Sequence, residues 1–203
     1  MAESIDWQRL ADAVEAACAA LMRPGESIED LEQTVPARAG LYVIHGSERA
    51  RQALGLEEDG GASVPLYVGK AERSLRSRDL RGHFSTGKTG SSTVRRSLAA
   101  LLSKTLDISA RPRNPDKPER FSNYGLEAES DARLTEWMGA NLTLAYWVKE
   151  ADLVLDQIET AVISRWQPVL NLDKVLAPDA RLKSLRAVLA TQARQWAEEQ
   201  AMR

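Results

Sequence analysis

Cysteine, histidine and aromatic residues are all scarce in this chain of 203 residues, which holds one Cys, two His and two Phe and is 5% aromatic. A lone Cys18 excludes an internal disulfide. Cys18, His45 and His83 together fall short of the four Cys or His ligands of a structural zinc site. Any metal must therefore use oxygen ligands. Long apolar runs are missing as well. The longest stretch without Asp, Glu, Lys or Arg, Trp137 to Val148, is shorter than the roughly 18 to 20 residues of a membrane span, so no membrane partner is expected. The opening Met1-Ala2-Glu3-Ser4-Ile5-Asp6 is acidic where a secretory signal is basic, and no apolar core follows it, so a cytoplasmic protein is expected. With 43% hydrophobic and 28% charged residues, no internal repeat and little low-complexity sequence, the composition suits one folded domain with helical additions.

Charge is present but unevenly spread. The net charge of -2 argues against a polyanion partner, yet residues 1–60 hold 5 Lys/Arg against 12 Asp/Glu, residues 61–120 hold 13 against 5, and residues 121–203 hold 9 against 12. A strongly basic middle third is thus bracketed by acidic ends. Such asymmetry fits either a phosphate-facing surface or a solvated basic face.

Apolar periodicity predicts a helix from about Ile5 to Met22, capped by Ser4 and carrying Trp7, Leu10, Val14, Cys18 and Leu21 on its core stripe. A short second helix after Ser27 ends before Pro36. Gly40 to His45 and Pro65 to Lys70 read as an antiparallel strand pair, joined through a short helix at Ser47 to Leu54 and a Gly- and acid-rich loop. An Arg-rich helical stretch covers residues 72–82, and Ser91 or Ser92 caps a helix running to about Ser103. Residues 105–125 read as a loop. Ser130 caps a helix to Gly139, Leu142 to Val148 is a third strand, and helices follow from Asp152 to Trp166 and from Asp179 to Ala201. The expected class is α+β: a small, three-stranded, mainly antiparallel sheet flanked by helices.

Several residues point to chemistry. Glu159 has Leu155, Val162 and Ile163 at helical spacing, which sets a carboxylate beside a buried face. That placement is unfavourable unless a divalent cation, or an arginine paired with it at the edge of the core, compensates it. Gly82 to Thr89 satisfies the P-loop pattern G-x4-G-K-T, but Arg76 to Arg81 before it is no buried strand, which argues against nucleotide binding. Ser85 to Arg96 reads instead as a backbone-phosphate contact surface.

The order Gly40-Leu41-Tyr42, then Tyr67-Val68-Gly69-Lys70, an Arg-rich helix, Glu159 and finally Pro168-Val169-Leu170-Asn171 resembles the GIY-YIG nuclease superfamily over about residues 39–172. Leu41 and Val68 stand where the motifs have isoleucine, and an insertion of about residues 47–64 separates the two strands. The spacing from Glu159 to Asn171, and Lys70 directly after the second motif, are similar to those of the excision-repair incision nuclease. The resemblance implies a domain over 37–175 between an N-terminal helical extension (1–36) and a C-terminal helix (176–203). It implies an endonuclease acting on nucleic acid, DNA rather than RNA, with one Mg²⁺ or Mn²⁺ on Glu159. Tyr42, Tyr67, Lys70, Arg78, His83, Glu159 and Asn171 are its expected catalytic set, with Arg76 as the alternative to Arg78. Gly69, Lys88, Ser92, Thr93, Arg95 and Arg96 are the expected substrate contacts. A phenol becomes a general base only if Lys70, Arg78 or a metal lowers its pKa from near 10.

Overall fold

The computed structural model describes residues 7–56, 64–76, 81–114, 116–150 and 152–202. In chain order its elements are α1 (Trp7–Leu21), α2 (Ile28–Thr34), β1 (Gly40–Gly46), α3 (Glu48–Ala53), β2 (Tyr67–Ala71), the single turn α4 (Arg81–His83), α5 (Thr93–Leu101), β3 (Ala110–Arg111), β4 (Gly125–Leu126), α6 (Ala128–Asn141), β5 (Leu142–Val148), α7 (Leu155–Trp166) and α8 (Ala180–Ala201). The expected three-stranded antiparallel sheet is there, in the order β2-β1-β5. No helix among the described residues is long and apolar enough to cross a membrane.

Helices cover both faces of β1, which explains why its sequence is almost continuously apolar rather than alternating. Leu41 and Val43 point to one core, shared with Val68 and with Ala17, Cys18 and Leu21 of α1 and Ile158 and Val162 of α7. Tyr42 and Ile44 point to the other, shared with Leu98 of α5, Leu134 and Met138 of α6 and Leu189 of α8. The C-terminal helix is therefore packed into the second core through Leu182, Leu189 and Ala193.

Several boundaries differ from expectation. Trp7 is 70% exposed and lies off the buried stripe of α1. The N-cap position of α6 is Glu127, and Ser130 lies inside the helix, where its hydroxyl accepts from Ser109 N–H. Ser residues serve either role because the short side chain reaches backbone groups at both places. Helix α7 starts at Leu155, since Asp152 has a left-handed backbone (φ 67°) that cannot begin a helix. Residues 105–125 are not a bare loop: β3 pairs with β4, and a 3-10 turn spans Pro118–Asn123. The proposed cap Ser4, and much of the Arg-rich stretch including Arg78, lie outside the described residues.

The outer edges of the sheet are occupied. Glu26 exchanges two backbone hydrogen bonds with Leu144 on β5, which covers that edge at one position. At the other edge Leu170 N–H donates to Leu66 O, 2.9 Å away, so the segment after α7 runs beside the start of β2.

One contact ties α1 to the sheet and titrates. His45 Nε2 lies 2.9 Å from Leu21 O, at the end of α1, and burial lowers the His45 pKa despite that bond. The folded chain keeps His45 neutral while the unfolded chain protonates it near pH 6.5. Stability is therefore full above about pH 6.5 and is lost as pH falls through the lowered folded value. The melting temperature of the wild type should fall between pH 7.5 and 5 by more than that of His45→Gln, which keeps an N–H donor without a titration; parallel pH profiles would contradict this.

Candidate active site

Strand β2 organises the site, because side chains on its alternate faces meet two different clusters. Register pairs Tyr42 with Gly69 and Ile44 with Tyr67, so Tyr42, Gly69 and Tyr67 share one face. Leu41 pairs with Lys70, which faces α7 on the other side.

On the first face three rings form a triangle. The Tyr42 and Tyr67 centroids are 6.1 Å apart, Tyr42 and His83 are 5.6 Å apart, and Tyr67 and His83 are 6.2 Å apart. The Tyr42 hydroxyl meets His83 Nε2 at 2.6 Å, and His83 Nδ1 meets Ser92 Oγ at 2.7 Å. Ser92 is the N-cap of α5 and accepts from Arg95 N–H. A single serine thus starts a helix and fixes the imidazole. Tyr42 and His83 are buried, whereas Tyr67 is half-exposed. Gly69 is explained by the same crowding: a Cβ there would collide with the Tyr42 phenol and approach Tyr67 Cε1 within 2.8 Å. Gly40 is the counterpart on β1, where a Cβ would run into the Trp147 carbonyl. Both motif glycines therefore make room, and Gly69 sits buried beneath Tyr42 rather than on an outer surface.

On the second face charges alternate. Lys70 Nζ contacts Glu72 Oε1 at 2.8 Å and Asp156 Oδ1 at 2.6 Å, and stands 4.0 Å from Glu159 Oε2. Lys174 Nζ bridges Asp156 Oδ1 and Glu159 Oε2, each at 2.6 Å. Hydrogen bonds from Lys174 and Lys70 hold the Asp156 carboxyl down to about 2. Donation to the Asp156 and Glu72 carboxylates holds the Lys70 ammonium well above its usual range. For Lys174 burial opposes the charge, but its bonds to Asp156 and Glu159 outweigh burial and raise its pKa. Glu159 is 8% exposed, and its compensating cation in this structure is Lys174 rather than an arginine.

The loop after α7 supplies both Asn171 and Lys174. Helix α7 closes on Gln167 in the left-handed region (φ 48°), and Pro168 prevents continuation. Asn171 Oδ1 accepts from Val68 N–H and its Nδ2 donates to Val68 O, both at 2.9 Å. One side-chain amide thereby satisfies the outward backbone groups of the edge strand between Tyr67 and Lys70. Lys174 also has a left-handed backbone (φ 63°), and Gln167 Oε1 ties the loop shut by accepting from Leu176 N–H at 2.7 Å.

The expected phosphate surface divides. Lys88 is exposed and Thr93 half-buried, but Ser92 and Arg95 are enclosed. Arg95 is ion-paired with Asp131 (2.7 Å) and bonded to Thr89 Oγ1 and the His83 carbonyl. Asp131 also accepts from Gly87 N–H and the Thr89 hydroxyl. The amide and hydroxyl that a P-loop turns to a phosphate are here committed to a carboxylate of the same chain, which removes the nucleotide-binding reading. Arg76 is exposed, and its Nε donates to Val35 O at 3.0 Å, away from both clusters' bonds.

Sequence reasoning missed Asp156, Lys174 and the linking role of Ser92. Asp156 was legible: it stands three residues before Glu159, a spacing that shares a helix face. Nothing local marks Lys174, because its reach to Glu159 depends on the left-handed backbone after Asn171.

A family model for the GIY-YIG catalytic domain matches residues 45–195. No curated protein and no solved structure matches the chain. The matched span begins just past Gly40-Leu41-Tyr42, takes in Tyr67 to Lys70, His83, Glu159 and Asn171, and extends into α8. With well over half of its length matched, the chain belongs to the GIY-YIG catalytic-domain family, a family of nucleases.

Proposed function

We propose that the chain is an endonuclease that hydrolyses phosphodiester bonds in nucleic acid, DNA in preference to RNA, with one Mg²⁺ or Mn²⁺ held by Glu159. The observation that carries this reading is the concentration of a ring cluster and a carboxylate–lysine cluster on the two faces of one edge strand, β2. The preference for DNA rests on the resemblance to the excision-repair incision nuclease.

The donor chemistry fits a hard divalent ion. Glu159 Oε2 already binds a cation, the Lys174 ammonium, and a single carboxylate completed by water and substrate phosphate is an ordinary Mg²⁺ arrangement. Among the described residues no group of three or more His, Cys, Asp or Glu gathers, and the proposed site is built on the single carboxylate of Glu159. When bound, the ion supplies Lewis-acid neutralisation of developing phosphate charge.

The protein's own groups do the rest. Tyr67, the phenol that reaches solvent, takes the proton of the attacking water. Tyr42 and His83, buried behind it and hydrogen-bonded to each other, fix its position and polarise the cluster. Lys70 faces the phosphate as a permanently charged group. Arg78, outside the described residues, is the expected second phosphate cation. Asn171 holds β2 so that Tyr67 and Lys70 keep their spacing.

Supercoiled plasmid, branched DNA duplexes and a matched RNA, each incubated with Mg²⁺ or Mn²⁺ and with EDTA, test the assignment. Nicking or cutting of DNA only with the metal is expected. The hold of Lys174 on Glu159 favours one second reading, a nucleic-acid-binding module without cleavage. Tight binding with no cleavage of any substrate would establish that module and reject the nuclease.

A further inference from the structure

Arg95 and Arg96 are neighbours on α5 and are similarly enclosed, at 0% and 7% exposure, yet they are satisfied in opposite ways. Arg95 has the Asp131 carboxylate. Arg96 meets only neutral oxygens: Gly90 O at 2.8 Å, Thr93 Oγ1 at 3.3 Å and Thr89 O at 3.5 Å. Its Nε is buried without any hydrogen-bond partner. Two further arginines gather there. Arg113 Nη1 reaches the same Gly90 carbonyl at 3.2 Å, and Arg186 on α8 reaches Ser97 Oγ at 3.4 Å.

Among the described residues no carboxylate pairs with Arg96, Arg113 or Arg186. Burial, together with repulsion from Arg186 and Arg113, lowers Arg96 to about 10, and burial lowers Arg186 as well. A buried guanidinium beside like charges and without a counter-ion is costly, whereas an anion with two adjacent oxygens matches the guanidinium fork. Elsewhere in this fold the neighbouring arginine receives such an anion from the chain itself.

We propose that Arg96, Arg113 and Arg186 form a second anion site that takes a backbone phosphate of the bound nucleic acid. This deepens the nuclease reading and rests on it for the identity of the polyanion. Arg96 follows Ser92 by about one turn of α5 (~5.4 Å), and Ser92 contacts His83. A strand held at the arginines is thereby led toward the ring cluster.

Anisotropy of a fluorescein-labelled DNA duplex with the full chain in EDTA, titrated with salt, reads the site directly. Arg113→Gln and Arg186→Gln, which alter the more exposed members, should each weaken binding about five- to tenfold at low salt and reduce the salt slope by about one. Arg96→Gln should follow if its melting temperature is preserved. Calorimetry with inorganic phosphate on the same proteins separates a nucleic-acid site from one for a small free anion. Wild-type affinity and slope in both Arg113→Gln and Arg186→Gln would overturn the proposal, as would loss of phosphate binding without any change on DNA. If the wild type fails to cleave while these variants still lose DNA affinity, the nuclease reading falls and the anion site stands. Cleavage by the wild type with unaltered binding by the variants gives the reverse.

Discussion

Glu159→Gln should lower divalent-dependent cleavage by more than about a hundredfold, because loss of even an outer-sphere partner costs about 10- to 100-fold. The substitution keeps the side chain's size among Leu155, Val162 and Ile163, so α7 stays packed. It removes the negative charge facing Lys174 and Lys70. Lys174 is not orphaned, since Asp156 remains 2.6 Å away. Loss of fold is therefore not the expected cause. Single-turnover rates, Mn²⁺ titration by electron paramagnetic resonance and a thermal melt separate the contributions. Unchanged cleavage with unchanged Mn²⁺ affinity would end the metal role of Glu159.

Asn171→Ala is expected to have the largest effect on stability of any single change at the site. Its amide is the partner of both Val68 N–H and Val68 O. Truncation leaves a donor and an acceptor on β2 unpaired at a buried position, and each orphaned group costs about 1–3 kcal/mol, for a loss of about 2–4 kcal/mol overall once solvent relaxes around them. Against a typical total of about 5–15 kcal/mol this is large. Urea denaturation measures it, and Asn171→Asp, which keeps the acceptor for Val68 N–H but turns a charged oxygen onto the Val68 carbonyl, should not recover the wild-type value. A loss below about 1 kcal/mol in Asn171→Ala would mean that the edge of β2 is satisfied in another way.

These two residues differ in how far they were legible. Glu159 stood out in the sequence because helical spacing placed a carboxylate beside an apolar face, and that is where α7 carries it. Asn171 was visible only as part of a motif, and its physical task required knowing that residues 168–171 run beside β2. The three strands were legible from short β-branched and aromatic runs, since both faces of β1 are buried and the pattern is correspondingly dense. Start points such as Ser130 and Asp152 were not, because short polar side chains and left-handed backbones give similar local signals inside a helix, at its cap or before it.

Charge was the least legible property. A basic middle third suggested an outward phosphate surface, but counting cannot tell which arginines turn inward. Arg95 spends its charge on Asp131 inside the fold, and the same carboxylate closes the loop that mimics a P-loop. Lys174, outside that basic third, proved to be the cation on Glu159. Spatial pairing decided both, across 36 residues for Arg95 and Asp131 and across 15 for Lys174 and Glu159.

In the proposed nuclease the ring cluster and Glu159, on opposite faces of β2, act on one phosphodiester. Crystals of the full chain with Mn²⁺ and a phosphorothioate-protected DNA duplex test it most directly through the anomalous signal of manganese. A Mn²⁺ peak is expected on the Glu159 carboxylate, with Lys174 displaced from it and one DNA phosphate lying between the ion and Tyr67. A peak elsewhere, or DNA bound with Lys174 still on Glu159 and no phosphate near Tyr67, would contradict it.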